Sequence, residues 1–145
     1  MKKFISHSLK DTEMFAEKIA GQLCQGKVVL LFGDLGAGKT TFSKSLIKAL
    51  GFNGVVTSPT FTIVNQYEGE IPISHFDMYR LESEDEAFEI GVDEILQSGQ
   101  NVCIVEWPEK VMSLFSDDTL KIHINILDEN TREFVLEGFD ENSIV

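Results

Sequence analysis

Cysteine is scarce in this 145-residue chain: only Cys24 and Cys103 occur, far apart in sequence. Both are expected to be reduced, core-type thiols, as in a cytosolic protein. Cys24 closes a helical pattern and Cys103 sits in an apolar strand pattern. The three histidines are isolated, so no Cys/His cluster with metal-ligand spacing is present. Long apolar runs are missing too. The longest is Val28–Phe32, far short of the roughly 20 residues a membrane-spanning helix needs. Lys2 and Lys3 are followed by only Phe4, Ile5 and Ser6 before polar residues return, too short for a signal-peptide core. Basic residues are few: 12 Lys and Arg stand against 24 Asp and Glu, a formal net charge of −12. Over positions 68–94, ten acids meet one base, Arg80. Such a surface repels nucleic acid, so any work on RNA is expected to need a partner that holds it. Most of these acids read as a solvated helix face. There is no repeat, low-complexity tract or linker, and 43% of residues are apolar and 25% charged. One globular domain over 1–145 is expected, with a loose tail after about 138.

The patterns that remain are those of an α/β protein. Ser8 and Asp11 form a weak capping box before Phe15, Ile19 and Leu23, which make one helical stripe. Val28–Phe32 is apolar throughout, as a strand buried on both faces of a parallel sheet would be. A helix is expected over about 39–50, with Phe42, Leu46 and Leu50 on one side and Gly51 as its stop. Positions 61–67 and 71–76 flank Glu-Gly-Glu and read as a hairpin. Ser83 and Glu86 form a full capping box that opens a helix toward Leu96. Positions 101–105 form another apolar strand, closed by Glu106, Trp107 and Pro108. Leu120, Ile122, Ile124 and Ile126 alternate with polar residues. After the turn at 128–131 a last strand is expected near 132–136. Early β-α units followed by hairpins predict an α/β sandwich, with a central mixed, partly parallel sheet flanked by helices.

Chemistry is concentrated at positions 33–41, GDLGAGKTT. Gly33, Gly38, Lys39 and Thr40 satisfy G-x-x-x-x-G-K-[ST], the phosphate-binding loop. Small residues let backbone N–H groups curl around a phosphate, and the following helix points its positive end at the same place. Gly33, Asp34, Leu35, Gly36, Ala37 and Gly38 would wrap the nucleotide. Lys39 would reach the β- and γ-phosphates, Thr40 would ligate Mg2+, and Thr41 would touch the α-phosphate. Such a loop needs an acid from the end of a neighbouring strand. Glu106 and Asp77 both qualify, and spacing alone does not choose between them. Each also has a plain reading as a strand-end surface acid.

GDLGAGKTT, Ser58-Pro-Thr60-Phe, His75-Phe-Asp77-Met-Tyr79-Arg80 and Val105-Glu106-Trp107 together resemble the TsaE family. These are small bacterial ATPases of tRNA threonylcarbamoyladenosine synthesis. The resemblance runs over about 6–137, with the motifs in the family's order and no departure inside them. It implies a P-loop NTPase-like fold and a protein that binds ATP with Mg2+ and hydrolyses it slowly alone. It implies the partners TsaD and TsaB, which transfer the threonylcarbamoyl group to tRNA, with the ATPase resetting them between turnovers. By position, Thr40 and Glu106 would hold Mg2+. Ser58 and Thr60 would lie on a switch-like loop near the γ-phosphate. Asp77 would position or activate water, or support the metal through a water. Thr12 would sit near the base. Arg80 would complete the charge around the γ-phosphate or contact a partner, against the plain reading of a surface salt bridge. His75 reads as a packed histidine, and Tyr79 and Trp107 as core or rim aromatics.

Two rivals differ in class. A small-molecule phosphotransferase would use the same loop, but such kinases commonly clamp the transferred group with several arginines. This chain has two, Arg80 and Arg132, and no obvious lid. Against a nucleotide-sensing module without useful turnover stand the intact Lys39, Thr40, Asp77 and Glu106, but slow hydrolysis that only gates a complex stays open, and there the ATPase and the sensor are one protein. A GTPase is a weaker reading still, since neither N-K-x-D nor D-x-x-G occurs.

Overall fold

Apolar on both faces, Val28–Phe32 lies in the middle of a sheet, as its composition demands. The computed structural model describes residues 2–34, 36–57, 59, 63–117 and 119–139. Its strands are β1 (Lys2–Ser6), β2 (Val28–Phe32), β3 (Val64–Glu68), β4 (Pro72–Asp77), β5 (Val102–Glu106), β6 (Leu120–Asp128) and β7 (Thr131–Glu137). Its helices are α1 (Leu9–Ala20), α2 (Lys39–Ala49), α3 (Glu84–Glu89) and α4 (Val92–Gln97). The strands form one sheet in the order β1-β7-β6-β2-β5-β4-β3. β6, β2, β5 and β4 run parallel, while β1, β7 and β3 pair antiparallel. This is the mixed, partly parallel sheet expected from sequence, with β3–β4 and β6–β7 as the two hairpins.

Each sheet face carries its own core. Val29 and Leu31 of β2 join Phe15 and Ile19 of α1 and Phe42, Leu46 and Ile47 of α2. Leu30 faces the other way, with Phe76, Val92, Val105 and Val111. Strand alternation and the helical stripes therefore select the same partners. Four phenylalanines knit the first layer. Phe4 stacks on Phe15 at 4.4 Å between ring centroids, and Phe134 meets Phe15 at 5.0 Å and Phe42 at 5.2 Å. Aromatic pairs at such spacings add about 0.5–1.5 kcal/mol each beyond their burial.

Several expectations need correction. β1 was not expected; it is a short edge strand whose register with β7 (Phe4 opposite Phe134) is a tertiary matter. The helix expected from Ser83 to Leu96 is two six-residue helices, broken at Gly91 (φ 82°). Ser83 occupies the N-cap position without a side-chain capping bond. Cys24 is exposed rather than core, because α1 stops at Gly21 and the chain turns outward before β2. Cys103 is buried as expected, and burial pushes its thiol up to about 12. Ile126 is 50% exposed: the alternation of β6 outruns the core, and its register with β7 shifts between Ile126 and Asp128. The first part of the expected 61–67 strand and most of the tail lie outside the described residues.

Candidate functional site

The phosphate-loop sequence folds as a turn between a buried strand and a helix. β2 delivers the chain at Phe32 and α2 begins at Lys39. A Cβ on Gly33 would lie 2.8 Å from the Ile124 carbonyl oxygen of the neighbouring strand, so only glycine fits there. Gly38 caps α2 at φ 104°, a left-handed conformation that glycine adopts without strain. No acid lies in the first turn of α2, and Gly38 at its N-cap has no side chain to cap it. The helix therefore presents its N–H groups and positive end to an anion. Leu35 lies outside the described residues.

Lys39 is 5% exposed. Its Nζ donates to the Gly33 carbonyl and, at 3.2 Å, to that of Asp34. The same ammonium lies 3.7 Å from the centre of the Trp107 ring. Burial lowers its pKa below the ordinary 10.5, against an opposing pull from Glu106, Glu109, Asp77 and Asp34. Trp107 holds a left-handed backbone (φ 57°, ψ 49°), which costs a non-glycine residue about 1–3 kcal/mol. That turn follows Glu106 directly and carries the indole over Lys39 and onto Tyr79, 4.9 Å away.

Both candidate acids are at this end of the sheet. Leu31 of β2 registers with Glu106 of β5, and Glu106 registers with Asp77 of β4. Glu106 is thus one strand from the loop and Asp77 two. Glu106 is 2% exposed and Asp77 7%. The Thr40 hydroxyl donates to Glu106 Oε1 at 3.0 Å. Ser43 Oγ lies 3.2 Å from Oε2 and His75 Nε2 lies 2.5 Å from it. Asp77 Oδ1 accepts from the Tyr79 backbone N–H at 3.0 Å, and the Asp77 N–H donates to Ile63 O at 2.8 Å. Among the described residues no group of three or more His, Cys, Asp or Glu side chains is placed to hold a metal ion. Mg2+ does not require one: it takes one or two protein oxygens and completes its shell with phosphates and water. The Thr40 hydroxyl beside the Glu106 carboxylate fits that donor set.

These groups line a crevice of about 390 Å³ with Asp34, Gly36, Ala37, Gly38, Thr41, Tyr79 and Arg80 on its walls. A hollow of about 220 Å³ shares Ala37, Gly38 and Thr41 with it and reaches Ser6, Thr12, Asn130 and Arg132. Thr12 is buried there, 2.7 Å from the Ser6 hydroxyl oxygen. A larger cavity of about 520 Å³ lies between α1 and α2, walled by Glu13, Glu17, Lys44 and Lys48. It includes Thr41 but not Glu106, Asp77, Lys39 or the loop glycines, so the candidate chemistry belongs to the smaller crevice. Thus Lys39, Thr40, Asp77, Arg80 and Glu106 are brought together, and Thr12 lies next door. Ser58 and Thr60 lie outside the described residues.

Three residues gain a place that the sequence reading did not give them. His75 is packed, as expected, but against Glu106. Ser43 sits one helical turn beyond Lys39, a spacing that could have marked it. Arg132 donates from Nε to the Ala37 carbonyl at 3.1 Å, across 95 residues of sequence. Nothing local foretold that contact.

The chain matches a sequence model described as threonylcarbamoyl adenosine biosynthesis protein TsaE over residues 6–134. It is 39% identical over 132 residues to a Treponema pallidum protein named tRNA threonylcarbamoyladenosine biosynthesis protein TsaE, covering 91% of this chain and 97% of that one. A Bacillus subtilis protein of the same name is 41% identical over 125 residues, covering 86% and 77%. The crystal structure of Bacillus subtilis YdiB superposes with a TM-score of 0.76 at 33% identity, covering 93% of this chain and 83% of that one. The sheet with its flanking helices is a P-loop NTPase-like fold. By the extent of these matches, the chain belongs to the TsaE family of threonylcarbamoyl adenosine biosynthesis proteins.

Proposed function

We propose that this chain is a Mg2+-dependent ATP-binding protein that hydrolyses ATP slowly by itself. It serves tRNA threonylcarbamoyladenosine formation by acting on the partners, TsaD with TsaB, that transfer the threonylcarbamoyl group. The observation that carries this reading is the 3.0 Å bond between Thr40 and Glu106, which joins the loop's hydroxyl to an acid on the adjacent strand. A glycine-rich turn with no nucleotide to bind would have no need of that pairing. The pathway rests on the relatives, named for tRNA threonylcarbamoyladenosine biosynthesis.

In this reading residues 1–145 act as one ATPase domain in the cytoplasm. No helix among the described residues is long and apolar enough to cross a membrane. Gly33 to Thr41 wrap the phosphates, and Lys39 leaves the carbonyls of Gly33 and Asp34 for the β- and γ-phosphates. Thr40 and Glu106 hold Mg2+, which when bound neutralises charge on the β- and γ-phosphate oxygens. Asp77, at the far side of Glu106, orients the attacking water. Arg80, exposed at the crevice rim, meets the γ-phosphate or the partner. Thr12 borders the hollow for the base. Ser58 and Thr60 are assigned to a switch loop by resemblance alone. A phosphotransferase is disfavoured because the Arg132 guanidinium is committed to backbone carbonyls of Ala37 and Asp128, leaving Arg80 as the other arginine to clamp a transferred group.

The test is ATP hydrolysis by the purified chain, alone and then with TsaD and TsaB, with and without tRNA. Slow turnover that rises with the partners is expected. Fast, partner-independent turnover, or phosphate passed to a small molecule, would overturn the proposal.

A further inference from the structure

We infer that His75 is a positioning residue for Glu106: it holds Oε2 so that Oε1 stays turned toward Thr40 and the phosphate loop. The inference rests on the reading of Glu106 as the acid that holds Mg2+. His75 and Asp77 point to the same face of β4, two residues apart, and β5 runs parallel beside them. That face carries Glu106, and it is closed: His75 is 0% and Glu106 2% exposed. Nε2 lies 2.5 Å from Oε2. Nδ1 is buried and has no hydrogen-bond partner. A ring with one hydrogen therefore carries it on Nε2. Placed on Nδ1 it would be a buried donor without an acceptor, and the Nε2 lone pair would face a carboxylate lone pair.

The other donors around the carboxylate are less committed. Ser43 has one hydroxyl hydrogen and a closer acceptor, the Lys39 carbonyl at 2.8 Å against 3.2 Å for Oε2. Thr40 holds Oε1, and its hydroxyl oxygen would also have to serve the metal when one is bound. The Glu106 carboxylate, whose last torsion is broad and two-fold, would then depend more on a restraint away from the loop side. The rigid imidazole from the neighbouring strand keeps it. Partners of this kind, one shell out from a metal, typically change metal affinity by about 10- to 100-fold when removed.

The test compares His75→Leu, which fills the space without a donor, with His75→Gln, which returns an N–H. The reading is nucleotide binding by calorimetry as a function of Mg2+, with thermal melts to check folding. His75→Leu is expected to need about 10- to 100-fold more Mg2+ for the same nucleotide affinity, to bind Mg2+-free nucleotide as before, and to be partly rescued in His75→Gln. Nitrogen NMR of the unsubstituted protein reads the tautomer independently of any variant's folding, and the hydrogen is expected on Nε2. A folded His75→Leu protein with unchanged Mg2+ dependence, or a ring without a hydrogen on Nε2, overturns the inference. Glu106→Gln separates the two levels. If it loses Mg2+ dependence and His75→Leu does not, the positioning role fails and the metal reading stands. If Glu106→Gln keeps it, the metal reading itself fails.

Discussion

On the proposed reading, Lys39 has to give up existing contacts before it can bind a phosphate. Its ammonium rests on two loop carbonyls and beneath the Trp107 ring, so a phosphate would have to displace those contacts. A charge-assisted bond to a dianionic phosphate is stronger than one to a neutral carbonyl, which gives the exchange its direction. Lys39→Ala should therefore abolish ATP hydrolysis and weaken nucleotide binding while the fold is kept; unchanged turnover in that variant would remove the mechanism. The lowered pKa of Lys39 adds a pH signature. Burial disfavours its charged form in the free site, and a bound phosphate favours it. Nucleotide binding should take up a proton at alkaline pH, below the ordinary 10.5, and affinity should fall as pH rises through the lowered value. By linkage, keeping Lys39 charged in the fold costs stability below that value, and the cost disappears as pH rises toward 10.5. Calorimetry in two buffers of different ionisation enthalpy measures the uptake; equal heats in both would refute it.

Among the elements, the loop is held by its neighbours on both sides. β6 closes on Gly33 through the Ile124 carbonyl, and β7 reaches Ala37 through Arg132. β7 is fixed in turn by Phe134, 2% exposed, wedged against Phe15 and Phe42 of α1 and α2. Phe134→Ala should cost about 3–5 kcal/mol in denaturant unfolding, since it removes a large buried ring and leaves a cavity. A cost below about 1 kcal/mol would mean that this layer collapses to fill the gap. The phosphate loop, its helix and the hairpins were legible because each is a contiguous pattern: glycines at fixed spacing, an apolar run, a stripe, a turn. The break at Gly91 was not, because the capping box at Ser83 is a local preference. The tertiary contact of Glu84 with Ser113, 2.5 Å between side-chain oxygens, is one that no local pattern encodes.

At the scale of the whole molecule, charge limits what the protein touches directly. With a net charge of −12 and ten acids over positions 68–94, it should show little affinity for tRNA at physiological salt. Tight, salt-resistant binding of tRNA by the isolated chain in a filter or gel-shift assay would overturn this. The expectation agrees with a protein that acts on a tRNA-holding partner. The candidate crevice lies at one end of the parallel strands, where the loop after β2 and the acids ending β4 and β5 converge.

Sequence by itself determined the strand–loop–helix unit and the α/β class, because those depend on residues within a few positions of each other, and the same local pattern is what points to phosphate chemistry in the loop. It also narrowed the partner acid to Glu106 or Asp77. Only the tertiary structure decided between their places. Strand order is set by packing across the sheet, and it puts β5 beside β2, so Glu106 bonds Thr40 across 66 residues and Asp77 stands one strand further off. The same order brought His75 to Glu106 and Arg132 to Ala37. Contacts of that kind join segments far apart in sequence that no local periodicity links, so they become visible only once the sheet is assembled.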